Sequence, residues 1–212
     1  MPDYQRQHKK RLAWMPWLYY SLKPKHHVWA KQWQQQLQVE LAELESVEFA
    51  NNCFLAPSAE LFAEPGRLIS IGENSFIAAD CFIHGPVTIG ANVAINHQCS
   101  FDGGRAGIVI GDDTRIANNV KIYAFNHGLS PSKPIWQQNN TSLGVTIGKD
   151  VWIGAGVGIV DGLEISDHSV VAMGAVVTKP VPPWAIVAGN PAKIIGDRRK
   201  KPLLHQFPSN RL

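Results

Sequence analysis

The stretch Ile71-Gly72-Glu73-Asn74-Ser75-Phe76-Ile77-Ala78-Ala79-Asp80-Cys81-Phe82-Ile83 sets an isoleucine at every sixth position. The same ladder continues through Ile89, Ile95 and Phe101. A helix repeats its buried face about every 3.6 residues and a strand every second residue, so neither makes this pattern. A six-residue repeat reads as a parallel β-helix, each hexad being one short strand and one turn. The ladder residue points inward and stacks on its counterpart in the next coil. Four positions later stands a second small or aliphatic residue, as at Ser75, Cys81, Val87, Val93 and Cys99. Gly, Asn and Asp fill the positions between, where turns need unusual backbone angles.

Working outward, the ladder begins near Phe49 with Leu55 and Leu61. Beyond Phe101 it resumes at Ile110, Ile116 and Ile122, then at Ile147, Ile153, Ile159, Ile165, Val171 and Val177. Three hexads make a triangular coil of eighteen residues. Extra residues follow Leu61, Phe101 and Ile122, each of which closes a triplet, so all three insertions are expected at one corner. Insertions collected on one face of a solenoid mark its binding face. The longest begins at Phe125-Asn126-His127-Gly128 and includes the loop 128–144, with Trp136 and Gln137-Gln138, long enough to serve as a lid. His127 at this break is the candidate for chemistry.

The ends differ from the middle. The whole chain has 212 residues and a formal net charge of +3. One domain with decorations is therefore expected, divided as an extension over 1–48, the prism over 49–196 and a basic tail over 197–212. Arg6, Lys9, Lys10, Arg11, Lys23, Lys25 and Lys31 crowd the N-terminal segment, among Trp14, Trp17, Tyr19 and Tyr20. This segment is expected to pack its aromatics on the body of the protein, with peripheral membrane contact as the alternative. Residues 27–45 read as a helix whose stripe Trp29, Trp33, Leu37, Leu41 and Leu44 covers the open end of the prism. Cys53, Cys81 and Cys99 lack metal-ligand spacing and are expected to be reduced, with Cys81 and Cys99 stacked one coil apart. No signal-peptide core or run of about twenty apolar residues is present, so a cytoplasmic location is expected.

The hexads, Asn126-His127-Gly128 before a loop, Ile147-Gly148-Lys149-Asp150-Val151-Trp152-Ile153-Gly154-Ala155, and the closing Val176-Val177-Thr178-Lys179 with Gly189-Asn190-Pro191-Ala192 resemble the hexapeptide-repeat acyltransferases. Within that superfamily the chain is most similar to the galactoside, maltose and polysaccharide O-acetyltransferases and the xenobiotic acetyltransferases. The resemblance covers about residues 49–196. It implies an all-β, left-handed parallel β-helix of about six triangular coils, with an N-terminal helical extension and a short C-terminal tail. It also implies a homotrimer with active sites between neighbouring prisms and acetyl-CoA as donor. No metal and no nucleic-acid partner are expected.

Acetyl transfer from a thioester to a hydroxyl needs a base that takes the proton as the oxygen attacks. Histidine titrates near neutral pH and suits that role. His127 matches the family's catalytic histidine. By the same match, the backbone N–H of Ala155, beside Gly154, meets the oxyanion, and Met173, Thr178, Lys179 and Lys193 line the CoA path. Asn96 and Asp102 are expected to hold the acceptor at the corner His127 uses. The acceptor is expected to be a hydroxylated small molecule or glycan, with a xenobiotic or an amine as the alternative. A zinc prism of the carbonic anhydrase kind needs three histidines, two of them close together, whereas His84, His97 and His127 lie in different hexads.

Overall fold

A computed structural model describes residues 3–200. The hexads form a left-handed β-helix with three parallel faces. The first face stacks six strands from Val47–Phe49 to Leu163–Ile165. The second runs from Phe54–Leu55 to Val170–Val171 and gains two more strands, Ala185–Ala188 and Lys193–Asp197. The third runs from Glu60–Phe62 to Val176–Val177. Ladder residues pair with ladder residues: Ile71 with Ile89, Ile89 with Ile110, Ile110 with Ile147, Ile147 with Ile165. Constant register holds because a slip of one residue would turn every inward side chain outward.

The corners explain the polar residues between the ladder positions. Asn74, Asp80, Asn92, Asp113 and Asn119 all have φ between 56° and 61°, the left-handed region that Asn and Asp tolerate best. The interior is one continuous core from Val47 to Val187, including Phe101, Ile116 and Ile122 at 0% exposure. Cys81 and Cys99 lie in adjacent coils of this core, and all three cysteines are free. Burial pushes the Cys53 thiol up to about 11.

Two helices precede the prism. α1 spans Tyr4–Trp14, and its Asp3 cap accepts a hydrogen bond from the Arg6 N–H at 3.0 Å. A 3₁₀ segment, Pro16–Ser21, leads to α2, Pro24–Leu44. The sequence pattern starts α2 three residues late. Pro24 holds the first turn, where its missing N–H is not needed. α1 itself was not legible as a helix, because only Leu12 and Ala13 of its residues are buried. The apolar stripe of α2 is used in two ways. Leu37 and Leu41 pack against the end of the core, while Trp29 and Trp33 join Leu12, Tyr19, Phe54, Phe76 and Ala94 on the outside of the second face. Leu44 corrects the expectation: it is 81% exposed, because the last turn overhangs the prism. The aromatic segment thus packs on the body, Tyr19 against Phe54 at 5.3 Å between ring centroids.

At the far end, the strand Lys193–Asp197 pairs antiparallel to Ala185–Ala188. Arg198 fastens its end by donating to the carbonyl of His168 at 2.8 Å and to Asp150 Oδ2 at 3.1 Å. The His168 side chain, and then Arg198, hold the Asp150 carboxyl below its usual range. The basic tail from 197 is described only as far as residue 200, and its remainder lies outside the described residues.

Candidate active site

All three insertions leave the third face at the same corner, following Glu60–Phe62, Ser100–Asp102 and Lys121–Tyr123. Each supplies part of one cleft of about 830 Å³. Arg67 comes from the first insertion; Asp102, Gly104 and Arg105 from the second; Phe125, His127, Trp136 and Gln138 from the third. The second and third insertions approach so closely that a Cβ on Gly104 would lie 2.4 Å from the Ala124 carbonyl oxygen and 2.6 Å from Ser142 Oγ. Ser142 ties these segments together. Its hydroxyl donates to the Ala124 carbonyl at 2.6 Å and accepts from the Arg105 and Ala106 N–H groups, both at 2.9 Å.

His127 is exposed and stands edge-on to Phe125, with ring centroids 5.9 Å apart. Its neighbour Asn126 exchanges both backbone hydrogen bonds with Thr141, at 2.8 and 2.9 Å, closing the loop into a hairpin-like base. Inside the loop, Gln138 accepts from the Ser130 N–H at 2.8 Å and donates to the Ser130 and Lys133 carbonyls. The loop 128–144 is therefore a built element with its own hydrogen bonds.

Asp161 anchors the foot of the loop. The side chain is buried in the next coil, and Oδ1 accepts from the N–H groups of Leu143 and Gly144, both at 2.9 Å. Nothing in the spacing signals this role, since Asp161-Gly162 reads only as a turn. Asp161→Ala would remove hydrogen bonds to two part-buried backbone donors that water can partly replace, at about 0.5–1.5 kcal/mol for each. The expected result is faster amide exchange at residues 141–144 and turnover lowered about tenfold, with most of the thermal stability kept. Unchanged exchange at these amides would show that the loop is held by something else.

Asp102 accepts from the Gly104 N–H at 3.0 Å and lies 3.3 Å from His84 Nδ1. The other ring nitrogen of His84 is 3.1 Å from Glu64. Arg67 completes the group, 3.2 Å from Glu64 and 4.0 Å from Asp102. A backbone hydrogen bond from its own N–H, then the His84 side chain, and then Arg67 hold the Glu64 carboxyl below its usual range. Neither His84, Glu64, Arg67 nor Arg105 was singled out from sequence. Glu64, Arg67 and Arg105 lie in insertions without a repeat and His84 ends a hexad strand, and only the folded corner assembles them.

The remaining sequence-predicted residues fall in two other places. Gly154 and Ala155 follow Trp152–Ile153, and Met173 follows Val170–Val171, so all three stand at the corner between the second and third faces. A Cβ on Gly154 would lie 2.5 Å from the backbone nitrogen of Met173, so only glycine permits that coil spacing. Asn96 shares this corner and donates to the Ile116 carbonyl at 2.9 Å. The expectation that it shares the His127 corner is corrected: Asn96 follows Ile95, a second hexad, and only third hexads end at the insertion corner. Thr178, Lys179 and Lys193 are brought together in a cleft of about 340 Å³ at the end of the prism, with Pro191 and Ile194. Within one chain, the His127 corner and the Ala155 corner are opposite edges of the third face.

A three-faced prism of hexads with one loop-borne histidine among convergent insertions defines a class: the hexapeptide-repeat transferases. The family model for the hexapeptide repeat of succinyl-transferase matches residues 68–96 and 144–179. Nodulation protein L of Rhizobium meliloti is 40% identical over 152 residues, 68% of this chain and 80% of that protein. The galactoside O-acetyltransferase of Escherichia coli is 34% identical over 130 residues, 59% of this chain and 62% of that enzyme. AntD, an N-acyltransferase from Bacillus cereus solved in complex with dTDP and 3-hydroxybutyryl-CoA, superposes with a TM-score of 0.67 at 29% identity, over 77% of this chain and 89% of that one. The chain belongs to the hexapeptide-repeat acyltransferase family. It spans 55–62% of the length of several of the curated relatives it matches.

Proposed function

We propose that this protein is an acetyl-CoA-dependent O-acetyltransferase acting on a hydroxyl of a sugar or glycan. The observation that carries the reading is the convergence of all three insertions on one cleft that contains a single exposed imidazole, His127. Among the described residues, no hydrogen bond engages that ring, which leaves a nitrogen lone pair available to a substrate.

In this reading the acceptor hydroxyl sits against His127. Nε2 or Nδ1 takes the hydroxyl proton as the oxygen attacks the thioester carbonyl carbon. A C–O bond forms and the carbonyl oxygen becomes an oxyanion. The oxyanion accepts a hydrogen bond from the Ala155 N–H, which donates to no carbonyl among the described residues. Collapse restores the carbonyl and breaks the C–S bond. The imidazolium returns its proton to the departing thiolate, giving acetyl ester and CoA thiol. Asp102, fixed by Gly104 and His84, is placed to accept from a second acceptor hydroxyl.

Because His127 and Ala155 stand on opposite edges of the third face, one chain holds two half-sites. The reading therefore includes a homotrimer in which the His127 corner of one copy meets the Ala155 corner of the next. Met173, 77% exposed beside Gly154, lines the pantetheine path across that junction. Thr178, Lys179 and Lys193 take the phosphate end. Neither ammonium is in an ion pair among the described residues, so both are free to meet phosphate. Replacing both by alanine is expected to raise the KM for acetyl-CoA about tenfold, near 1.4 kcal/mol, with kcat little changed. A fall in kcat at constant KM would move these lysines out of the donor site.

An amine acceptor is the second reading, favoured by the likeness to AntD, an N-acyltransferase. The deciding experiment is thiol release from acetyl-CoA with a panel of sugars, nucleotide-sugars, amino-sugars and aminoglycosides, with His127→Ala as blank. Release with hydroxyl but not amine acceptors supports the first reading. No release with any acceptor, together with no CoA binding, overturns both.

A further inference from the structure

The prism and its clefts leave unexplained the helical layer that precedes them. Residues 4–39 contain seven Lys or Arg and not one Asp or Glu. None of the seven forms an ion pair among the described residues. Lys9 is occupied internally, its ammonium 5.0 Å from the Trp33 ring centroid. Arg6, Lys10, Arg11, Lys23, Lys25 and Lys31 are exposed.

The layer's inner side is already used. Leu12 and Ala13 of α1 and Ala30 of α2 are buried against the second face of the prism. On α1, Arg6 and Lys10 are spaced by four and share one outward stripe, while Trp14 at its end turns back to the prism, its ring centroid 5.0 Å from that of His97. The start of α2 lies beside α1, since the rings of His8 and His26 are 4.9 Å apart. Lys23 and Lys25 therefore join the α1 cations. The crowding is felt locally: after desolvation, His8, Lys25 and Lys23 each push the His26 imidazole toward its neutral form. Interleaved with the cations are large apolar side chains that fold without cover: Tyr4 at 62% exposure, Trp17 at 50%, Val28 at 66%.

We propose that the outer face of this helical layer docks the protein on an anionic lipid bilayer. Cations alone would suit any polyanion. Tryptophan and tyrosine set among them suit a headgroup boundary, where one end of the ring is apolar and the other wet. No helix among the described residues is long and apolar enough to cross a membrane, so the contact lies on the surface. Docking through this layer leaves the His127 corner open, because the layer covers the second face and His127 leaves from the third. This inference does not depend on the acetyl-transfer reading.

The test is co-sedimentation of the full chain with phosphatidylcholine vesicles, with and without added phosphatidylglycerol. Binding to the anionic vesicles only, weakening as salt is raised, is the expected result. A quadruple variant, Arg6→Gln with Lys10→Gln, Lys23→Gln and Lys25→Gln, removes exposed charge without touching a packed side chain. It is expected to bind anionic vesicles at least tenfold more weakly, since each cation near such a surface contributes about fivefold. Its circular dichroism and its thiol release in free solution are expected to be unchanged. Equal sedimentation of the variant, or none of the parent chain with anionic vesicles, overturns the proposal. Tight binding of a single-stranded oligonucleotide with vesicles left free would also overturn it, and would assign the face to nucleic acid.

Discussion

His127→Ala is expected to lower turnover by about 10²–10⁴-fold, the usual loss when a general base is removed, while melting and assembly stay at the parent values. That factor corresponds to roughly 3–5 kcal/mol of barrier. The two halves of the expectation have separate causes. The loss follows from the chemistry of an alcohol, which attacks poorly until its proton is taken, and no other imidazole lines the His127 cleft. The retained stability follows from the ring's environment. It is exposed, donates to and accepts from no described residue, and stands edge-on to Phe125 with ring centroids 5.9 Å apart. The loop base survives because it is held by backbone pairing of Asn126 with Thr141 and by Asp161. His127→Asn would fill similar space without a titratable nitrogen and should behave alike. Turnover within a few-fold of the parent in both variants would remove His127 from the reaction.

Phe101→Ala is expected to cost about 3–5 kcal/mol of stability, the range for truncating a buried aromatic. Phe101 is fully buried and stands where every third-face neighbour is aliphatic, in register with Ile83 before it and Ile122 after it. Those neighbours cannot slide into the space, because each is pinned by parallel backbone pairing to the next coil. The cavity therefore stays. For a chain of this size each kcal/mol moves the melting temperature by about 2–4 °C, so a drop of roughly 6–20 °C is expected. Phe101→Leu, closer in volume, should cost less than about 1.5–2 kcal/mol. Both should be measured at one protein concentration, since assembly contributes to apparent stability. An alanine variant that melts within a degree or two of the parent would mean that the ladder does not carry the core. Phe101 also opens the second insertion, so the same variant reports whether Asp102 and Arg105 depend on the ladder beneath them.

Much of the architecture was legible because a six-residue period has few solutions. The inward isoleucines, the Asn and Asp corners with positive φ, the free stacked cysteines and the common corner of the three insertions all follow from counting residues. The site was legible in part. Asp102 and His127 share one cleft, and Thr178, Lys179 and Lys193 share another. Asn96 was assigned to the wrong corner because it precedes an insertion in sequence, and nearness in sequence is not nearness on a triangular coil. α1 was not legible because only two of its residues are buried, and Leu44 departs from the stripe because its role depends on where the prism ends.

The sequence by itself determined the prism, its register and the corner from which His127 leaves, because each is a property of spacing along one chain. Only the tertiary structure decided that Arg67, Asp102, Arg105 and His127 meet, that His84 bridges Asp102 and Glu64, and that Asp161 grips the loop. Those contacts join residues one coil or more apart, and no periodicity encodes which exposed side chains of neighbouring coils point toward each other. Folding also separated His127 and Ala155 onto opposite edges of one face, since a rigid triangular coil cannot bring two of its own corners together.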